Sequence, residues 1–174
     1  MKHLTTTEIE ARMPEVLASP KDNGVLELIV RRPAEDLREE LEIGELDIEQ
    51  GLVGDDWFGS GNKGDSQITI MNSRIISILA QDDSRRALAG DQLYADLDLS
   101  DENLPVGTRI AVGGAVLETT ALPHNGCKKF VQRYGLDAML FVNSPLGKKH
   151  HLRGIYAKVV QSGTIRRGDR LKKL

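Results

Sequence analysis

Hydrophobic positions along the chain fall mostly into short alternating runs, the period of strands rather than of helices. Val25-Leu26-Glu27-Leu28-Ile29-Val30-Arg31 reads as a strand stopped by Pro33, and Gln67-Ile68-Thr69-Ile70-Met71 as another. Leu93, Ala95, Leu97 and Leu99 alternate with Tyr94, Asp96 and Asp98, which predicts a half-buried strand over 93–99. Two apolar runs, Arg109–Val112 and Ala115–Thr119, flank Gly113-Gly114. That arrangement predicts a hairpin, because glycine tolerates positive φ at both turn positions. Residues 155–160 and 164–166, joined through Ser162-Gly163, predict a further strand pair.

Fewer stretches follow the helical period. Residues 7–17 place Ile9, Met13, Val16 and Leu17 near one face, with Thr6 or Thr7 as N-cap and the turn-forming Ser19-Pro20-Lys21-Asp22-Asn23-Gly24 as terminator. Residues 74–79 predict a helix entered through Asn72 or Ser73, and 128–134 another. The acidic stretch 35–49 scatters charge through weak apolar periodicity and is expected to form short helix and surface connection. The fold class is therefore mainly β with inserted helices (α+β), and closure into a β-barrel is the economical way to remove exposed edges.

Composition narrows the function. The 174 residues are 40% hydrophobic and 28% charged, enough for one core, with only 4% aromatic residues. A net charge of −3, with no long block of either sign, leaves no electrostatic footprint for nucleic acid or a membrane surface. One cysteine excludes an internal disulfide and the multi-cysteine zinc and iron–sulfur sites. The N-terminus lacks the apolar segment of a signal peptide, and no apolar run suits a bilayer, so a soluble, cytoplasmic protein is expected.

That cysteine, Cys127, is the first chemical candidate. It follows Leu122-Pro123-His124-Asn125-Gly126 and precedes Lys128 and Lys129, which places it at the start of a helix beside two ammonium groups. Such surroundings favour the thiolate that attacks sulfur or binds a soft metal. The spacing also allows another role: Cys127, Phe130, Val131 and Tyr134 share one helical face, so the cysteine can equally be a small core residue. The glycine-rich loop from Gly51 to Asp65 carries the single Trp57 next to Phe58, either as a pocket wall or as an anchored surface loop. Gly54-Asp55, Gly64-Asp65, Gly90-Asp91 and Gly168-Asp169 read as turns. In Lys148-Lys149-His150-His151-Leu152-Arg153, adjacent histidines make a poor chelating pair, whereas Arg153 offers a planar fork for a phosphate.

Taken in order, Gly51-Leu52-Val53-Gly54-Asp55, Gln67-Ile68-Thr69-Ile70-Met71-Asn72 and Ala89-Gly90-Asp91-Gln92-Leu93 resemble the MOSC domain, named for the C-terminal part of molybdenum-cofactor sulfurase. The resemblance continues through residues 96–113, His124-Asn125-Gly126-Cys127 and Arg153-Gly154-Ile155-Tyr156-Ala157-Lys158 to Gly168-Asp169, about residues 24–172. It implies a single barrel-like MOSC domain over 24–174, with 1–23 as a helical extension packed on it. It also implies an essential cysteine, matched by Cys127.

Two roles follow from the resemblance. Some MOSC domains bind the molybdenum cofactor (molybdopterin) through the cysteine and reduce N-hydroxylated compounds. In that case Cys127 is the metal ligand, Arg153, Arg74, Lys128 and Lys129 hold the anionic pterin phosphate, and Asn103, Asp55 and His124 orient substrate or move protons. Others are proposed to be sulfur-delivery modules, with a persulfide on Cys127 supplied by a pyridoxal-phosphate desulfurase. That cofactor would then sit on the partner, since this chain is too short for such a domain. Two departures stand out: Gly126 where many members have Pro, and Asp56-Trp57 where many have Arg-His. The second removes a basic residue from the first loop.

Overall fold

The computed structural model describes residues 2–59, 61 and 64–174, so Ser60, Asn62 and Lys63 of the glycine-rich loop lie outside the described residues. Among the described residues eleven strands are formed: β1 (Gly24–Arg31), β2 (Glu39–Leu41), β3 (Ile43–Asp47), β4 (Gly51–Leu52), β5 (Ile68–Asn72), β6 (Leu93–Asp96), β7 (Arg109–Val112), β8 (Ala115–Thr119), β9 (Ile155–Gln161), β10 (Gly163–Arg166) and β11 (Arg170–Lys173). The helices are α1 (Thr6–Ala11), α2 (Met13–Leu17), α3 (Ser73–Ala80), α4 (Lys128–Tyr134), α5 (Leu136–Val142) and α6 (Pro145–Lys149), with a 3-10 segment at Asp83–Ala89.

Seven strands close in the order β1-β6-β5-β9-β8-β7-β11 and back to β1. The seam is the antiparallel pairing Gly24↔Leu171 and Val25↔Arg170. Every step is antiparallel except β5–β6, where Ile70 pairs with Leu93 in parallel. β2 extends β1 beyond the seam, and β3 carries β4 and β10 on its two edges. Strand alternation divides the core in two. Leu26, Ile29, Ile68, Ile70, Leu93 and Ala95 point into the barrel. Leu28, Val30, Met71 and Tyr94 point outward into a helical layer that contains Ile75, Ile78, Phe130 and Tyr134.

That layer covers the outer face of the expected strand at Tyr94, while Asp96 and Asp98 stay half-buried as the alternation predicts. Tyr94 is fully covered, and the ladder itself stops at Asp96. The β7–β8 hairpin forms as its glycines predict, with Gly113 at φ +55. Asn72 caps α3, its Oδ1 accepting from the backbone N–H groups of Arg74 and Ile75 at 2.9 and 3.1 Å.

Three local expectations change. The N-terminal helix is two helices meeting at Arg12, because Pro14 cannot donate back into the preceding turn. Its cap is Thr5, in a reciprocal box with Glu8, and Leu17 is exposed. Residues 35–49 contain β2 and β3 instead of a helix. One face of β3 is exposed and one of its inward positions is Gly44, so no apolar alternation marks it. β10 pairs with β3 (Ile165↔Gly44), not with β9. The chain changes sheet at Gly163, where an added Cβ would lie 2.3 Å from Gly114 backbone atoms. No helix among the described residues is long and apolar enough to cross a membrane.

Candidate functional site

The layout of the layer around the 3-10 segment gathers arginines from three separate parts of the chain. Its last turn turns three consecutive carbonyls outward, and each accepts from a different guanidinium. Arg133 Nη1 donates to Leu88 O at 2.6 Å, Arg153 Nη2 to Ala89 O at 3.1 Å, and Arg32 Nη1 to Gly90 O at 2.6 Å. Two buried carboxylates fix two of these arginines. Asp55 accepts Arg32 Nη2 at 2.6 Å, and Asp91 accepts Arg153 Nη1 at 2.6 Å. Charge-assisted pairs of this kind hold a guanidinium rigidly in one orientation.

Between them opens a cleft of about 460 Å³, bordered by Arg32, Arg38, Arg133, Arg153, Lys129 and Cys127. Arg38, on the connection between β1 and β2, differs from the other arginines. It donates only to its neighbour Leu37 O, its Nε is buried without a partner, and no carboxylate pairs with it among the described residues. Burial, then the charges of Arg133 and Arg32, lower its proton affinity. Trp57 forms a wall, with Nε1–H donating to Ser66 O at 2.7 Å and the Arg32 guanidinium 5.0 Å from the ring centroid. Phe58, its neighbour, is turned outward.

Cys127 is exposed and stands just before α4 as its N-cap residue, with no hydrogen bond from its side chain to the helix. Phe130 and Tyr134 are buried, so the shared helical stripe does not draw the cysteine into the core. The approach is pinned at Gly126, whose N–H donates to Asn143 Oδ1 at 2.8 Å and whose carbonyl accepts from Asn143 Nδ2 at 3.2 Å. An added Cβ on Gly126 would lie 3.1 Å from Met139.

His124 separates this cleft from a second one of about 370 Å³ bordered by Asp101, Val142, Lys148 and His151. Its side chain is 9% exposed, its ring lies 4.6 Å from that of Tyr156, and Nδ1 is 3.6 Å from Asp91 Oδ1. Burial first, then Arg153, lower its pKa from the ordinary 6.5 to about 4, so the ring is neutral at neutral pH. Burial raises that of Tyr156. Gly154 follows Arg153 at φ +108, where a Cβ would lie 2.5 Å from Ile70 O and 3.2 Å from His124 Nδ1.

The residues expected at the site are thus divided. Cys127, His124, Lys129 and Arg153 border the cleft, and Asp55 acts on it through Arg32. Lys129 also pairs with Glu35 at 3.1 Å, while Lys128 is exposed and outside the lining. Arg74 lies elsewhere, paired with Asp96 at 2.7 Å and donating to Glu15 O. Asn103 is buried at a further place, where Nδ2 donates to Lys21 O and Asp98 O and Oδ1 accepts from Lys173. Arg32, Arg38, Arg133 and Asp91 were not singled out as site residues from the sequence. Arg31-Arg32-Pro33 at a strand end was the available signal for Arg32, and Gly90-Asp91 carried only the signature of a turn.

Comparison with known proteins bears on the family and the fold. The MOSC domain family matches residues 84–172, a span that holds Asp91, Cys127 and Arg153. Comparison with curated proteins returns no match. Among solved structures, the YuaD protein from Bacillus subtilis is similar with a TM-score of 0.65 at 20% identity, over 87% of this chain and 95% of that one. YiiM from Escherichia coli is similar with a TM-score of 0.55 at 18% identity, over 86% and 69%. YiiM from Geobacillus stearothermophilus gives 0.55 at 16%, over 88% and 73%. At such identities the likeness concerns the fold. With the family match spanning half of the sequence and a closed barrel of the same kind, the chain belongs to the MOSC domain family.

Proposed function

We propose that this protein binds the molybdenum cofactor, with the Cys127 thiolate as the protein ligand to molybdenum, and acts as an oxidoreductase on N-hydroxylated compounds. The observation that carries the reading is a single exposed thiol on a cleft into which Arg32, Arg38, Arg133, Arg153 and Lys129 converge. The donor set suits the group. Molybdenum held by a dithiolene needs one soft protein ligand, and the pterin phosphate needs cations. Among the described residues bordering the cleft, Arg38 has a buried unpartnered Nε and pairs with no carboxylate, which suits it to an anion.

When bound, the cofactor supplies two-electron redox chemistry at molybdenum. The chain's own residues bind and orient. Arg153 and Arg32, braced by Asp91 and Asp55, hold fixed positive charge without reorganising when an anion arrives. Trp57 closes one side against water, and neutral His124 offers a hydrogen-bonding ring at the cleft border.

A second reading is favoured by the exposure of Cys127: a sulfur carrier bearing a persulfide received from a partner desulfurase that holds the pyridoxal phosphate. Metal and sulfur analysis of protein from a host that makes the cofactor decides between the two. Near-stoichiometric molybdenum, lost in Cys127→Ala, is the expected result. Cyanide-releasable sulfur on Cys127 without molybdenum would support the carrier instead, and absence of both would overturn both readings.

A further inference from the structure

Asp91 and His124 are buried polar groups that face each other with complementary vacancies. Asp91 Oδ2 accepts Arg153 Nη1 at 2.6 Å, but Oδ1 has no hydrogen-bond partner. His124 Nδ1 has none either, and the two atoms are 3.6 Å apart. Leaving either atom unpaired in the interior costs its desolvation, so a slight closure of this gap is favoured. A carboxylate oxygen only accepts, and the contact with Arg153 Nη1 at 2.6 Å holds this carboxylate in place. The pair is therefore complementary in one arrangement only, with the proton on Nδ1. The other ring nitrogen, Nε2, makes no hydrogen bond among the described residues and is left for the clefts that the ring borders.

We propose that Asp91 is a positioning residue: it holds His124 as the Nδ1–H tautomer, so that Nε2 presents a lone pair to an N–H or O–H donor of the molecule bound in the cleft. The tautomer stands on the Asp91–His124 geometry, and the contact with a bound molecule rests on the cleft being the binding site. The charged groups facing the ring are Arg153, Asp91 and Arg32, with the Tyr156 ring tilted against it at 38°. Two cations and burial disfavour imidazolium, so Nε2 works as an acceptor, not as a stored proton. A molecule offering only acceptors at this point would leave Nε2 opposed by another lone pair.

The test is nitrogen NMR of the full-length, metal-free protein with labelled histidine rings, His124 being assigned by its loss in His124→Gln. At neutral pH, His124 is expected to show a protonated Nδ1 and an unprotonated Nε2. In Asp91→Asn the amide turns its oxygen to Arg153, which can only donate, and its NH2 to His124; the tautomer inverts to Nε2–H. A wild-type ring protonated on Nε2, or a folded Asp91→Asn with an unchanged tautomer, would overturn the assignment. If that variant does not fold, the wild-type spectrum decides alone. Titration with acetohydroxamic acid, which carries N–H and O–H donors, should shift the Nε2 resonance, whereas acetate should not. Equal responses would overturn the contact. No step uses molybdenum, so failure here is distinct from failure to bind the cofactor.

Discussion

Asp55 and Arg32 sit 23 positions apart and are joined by three hydrogen bonds. The Asp55 carboxylate, 1% exposed, accepts from Arg32 backbone N at 2.6 Å, Nε at 3.0 Å and Nη2 at 2.6 Å. The stretch Gly54-Asp55-Asp56-Trp57 has no basic residue of its own, yet its Asp55 draws one in from the end of β1. A positive charge therefore reaches the cleft from the end of β1 and is fixed there by the loop that carries Asp55.

Removing one partner of such a buried pair leaves the other charged and uncompensated, at a cost of about 3–5 kcal/mol. Asp55→Ala is expected to lose about 3 kcal/mol of stability, at the low end because Arg32 keeps its bond to Gly90 O. Urea unfolding of Asp55→Ala, Arg32→Ala and the double variant should show the double losing clearly less than the sum of the singles. Additive losses would mean that the pair is not coupled.

His124 links stability to pH. Its folded pKa of about 4 lies below the ordinary 6.5, so between these values the unfolded chain binds the proton more readily. Stability is then fully present above pH 6.5 and is lost as pH falls toward 4. The loss amounts to roughly 3 kcal/mol when complete. Carboxylates also titrate there, so the comparison is with His124→Gln, which should unfold with a shallower acid slope over the same window. Identical slopes would show that the ring already carries a proton in the folded protein.

The legible parts of the fold are those whose cause is local. Gly113-Gly114 between two apolar runs, and Asn72 before Ile75, state their turn and cap within a few residues. The seam between β1 and β11 unites the two ends of the domain and has no local signature. β3 escaped notice because its inward Gly44 has no side chain to mark the period. The site divides in the same way. Cys127 stood out by being alone of its kind, while Arg74 and Asn103 were plausible by type and proved to be tied into ion pairing and backbone clamping elsewhere. Arg32, Arg38 and Arg133 meet only because the helical layer folds over the carbonyls of residues 88–90.

Exposure of Cys127 predicts a thiol that reacts in the native state. A disulfide reagent should titrate one thiol in folded protein, with no slow phase that urea abolishes, and none in Cys127→Ser. The same substitution should change stability by no more than about 0.5 kcal/mol, as for other exposed positions away from packing features. A thiol that reacts only on unfolding would mean that residues 121–127 close over it.

Arg38 and Arg153 should separate binding from stability. Arg153 is 8% exposed at its side chain, ion-paired to the fully buried Asp91, and lies 5.0 Å from the Phe130 ring centroid. Arg153→Ala strands that carboxylate and should cost about 3–5 kcal/mol. Among the described residues Arg38 pairs with no carboxylate, and it is repelled by Arg133 and Arg32, so Arg38→Ala should change stability by less than about 1 kcal/mol, in either direction. An anion in the cleft is attracted by both, and thermal stabilisation by added phosphate should fall in each variant. If Arg38→Ala keeps the full phosphate response, its charge serves something other than the cleft. If it costs as much stability as Arg153→Ala, Arg38 is part of the scaffold after all.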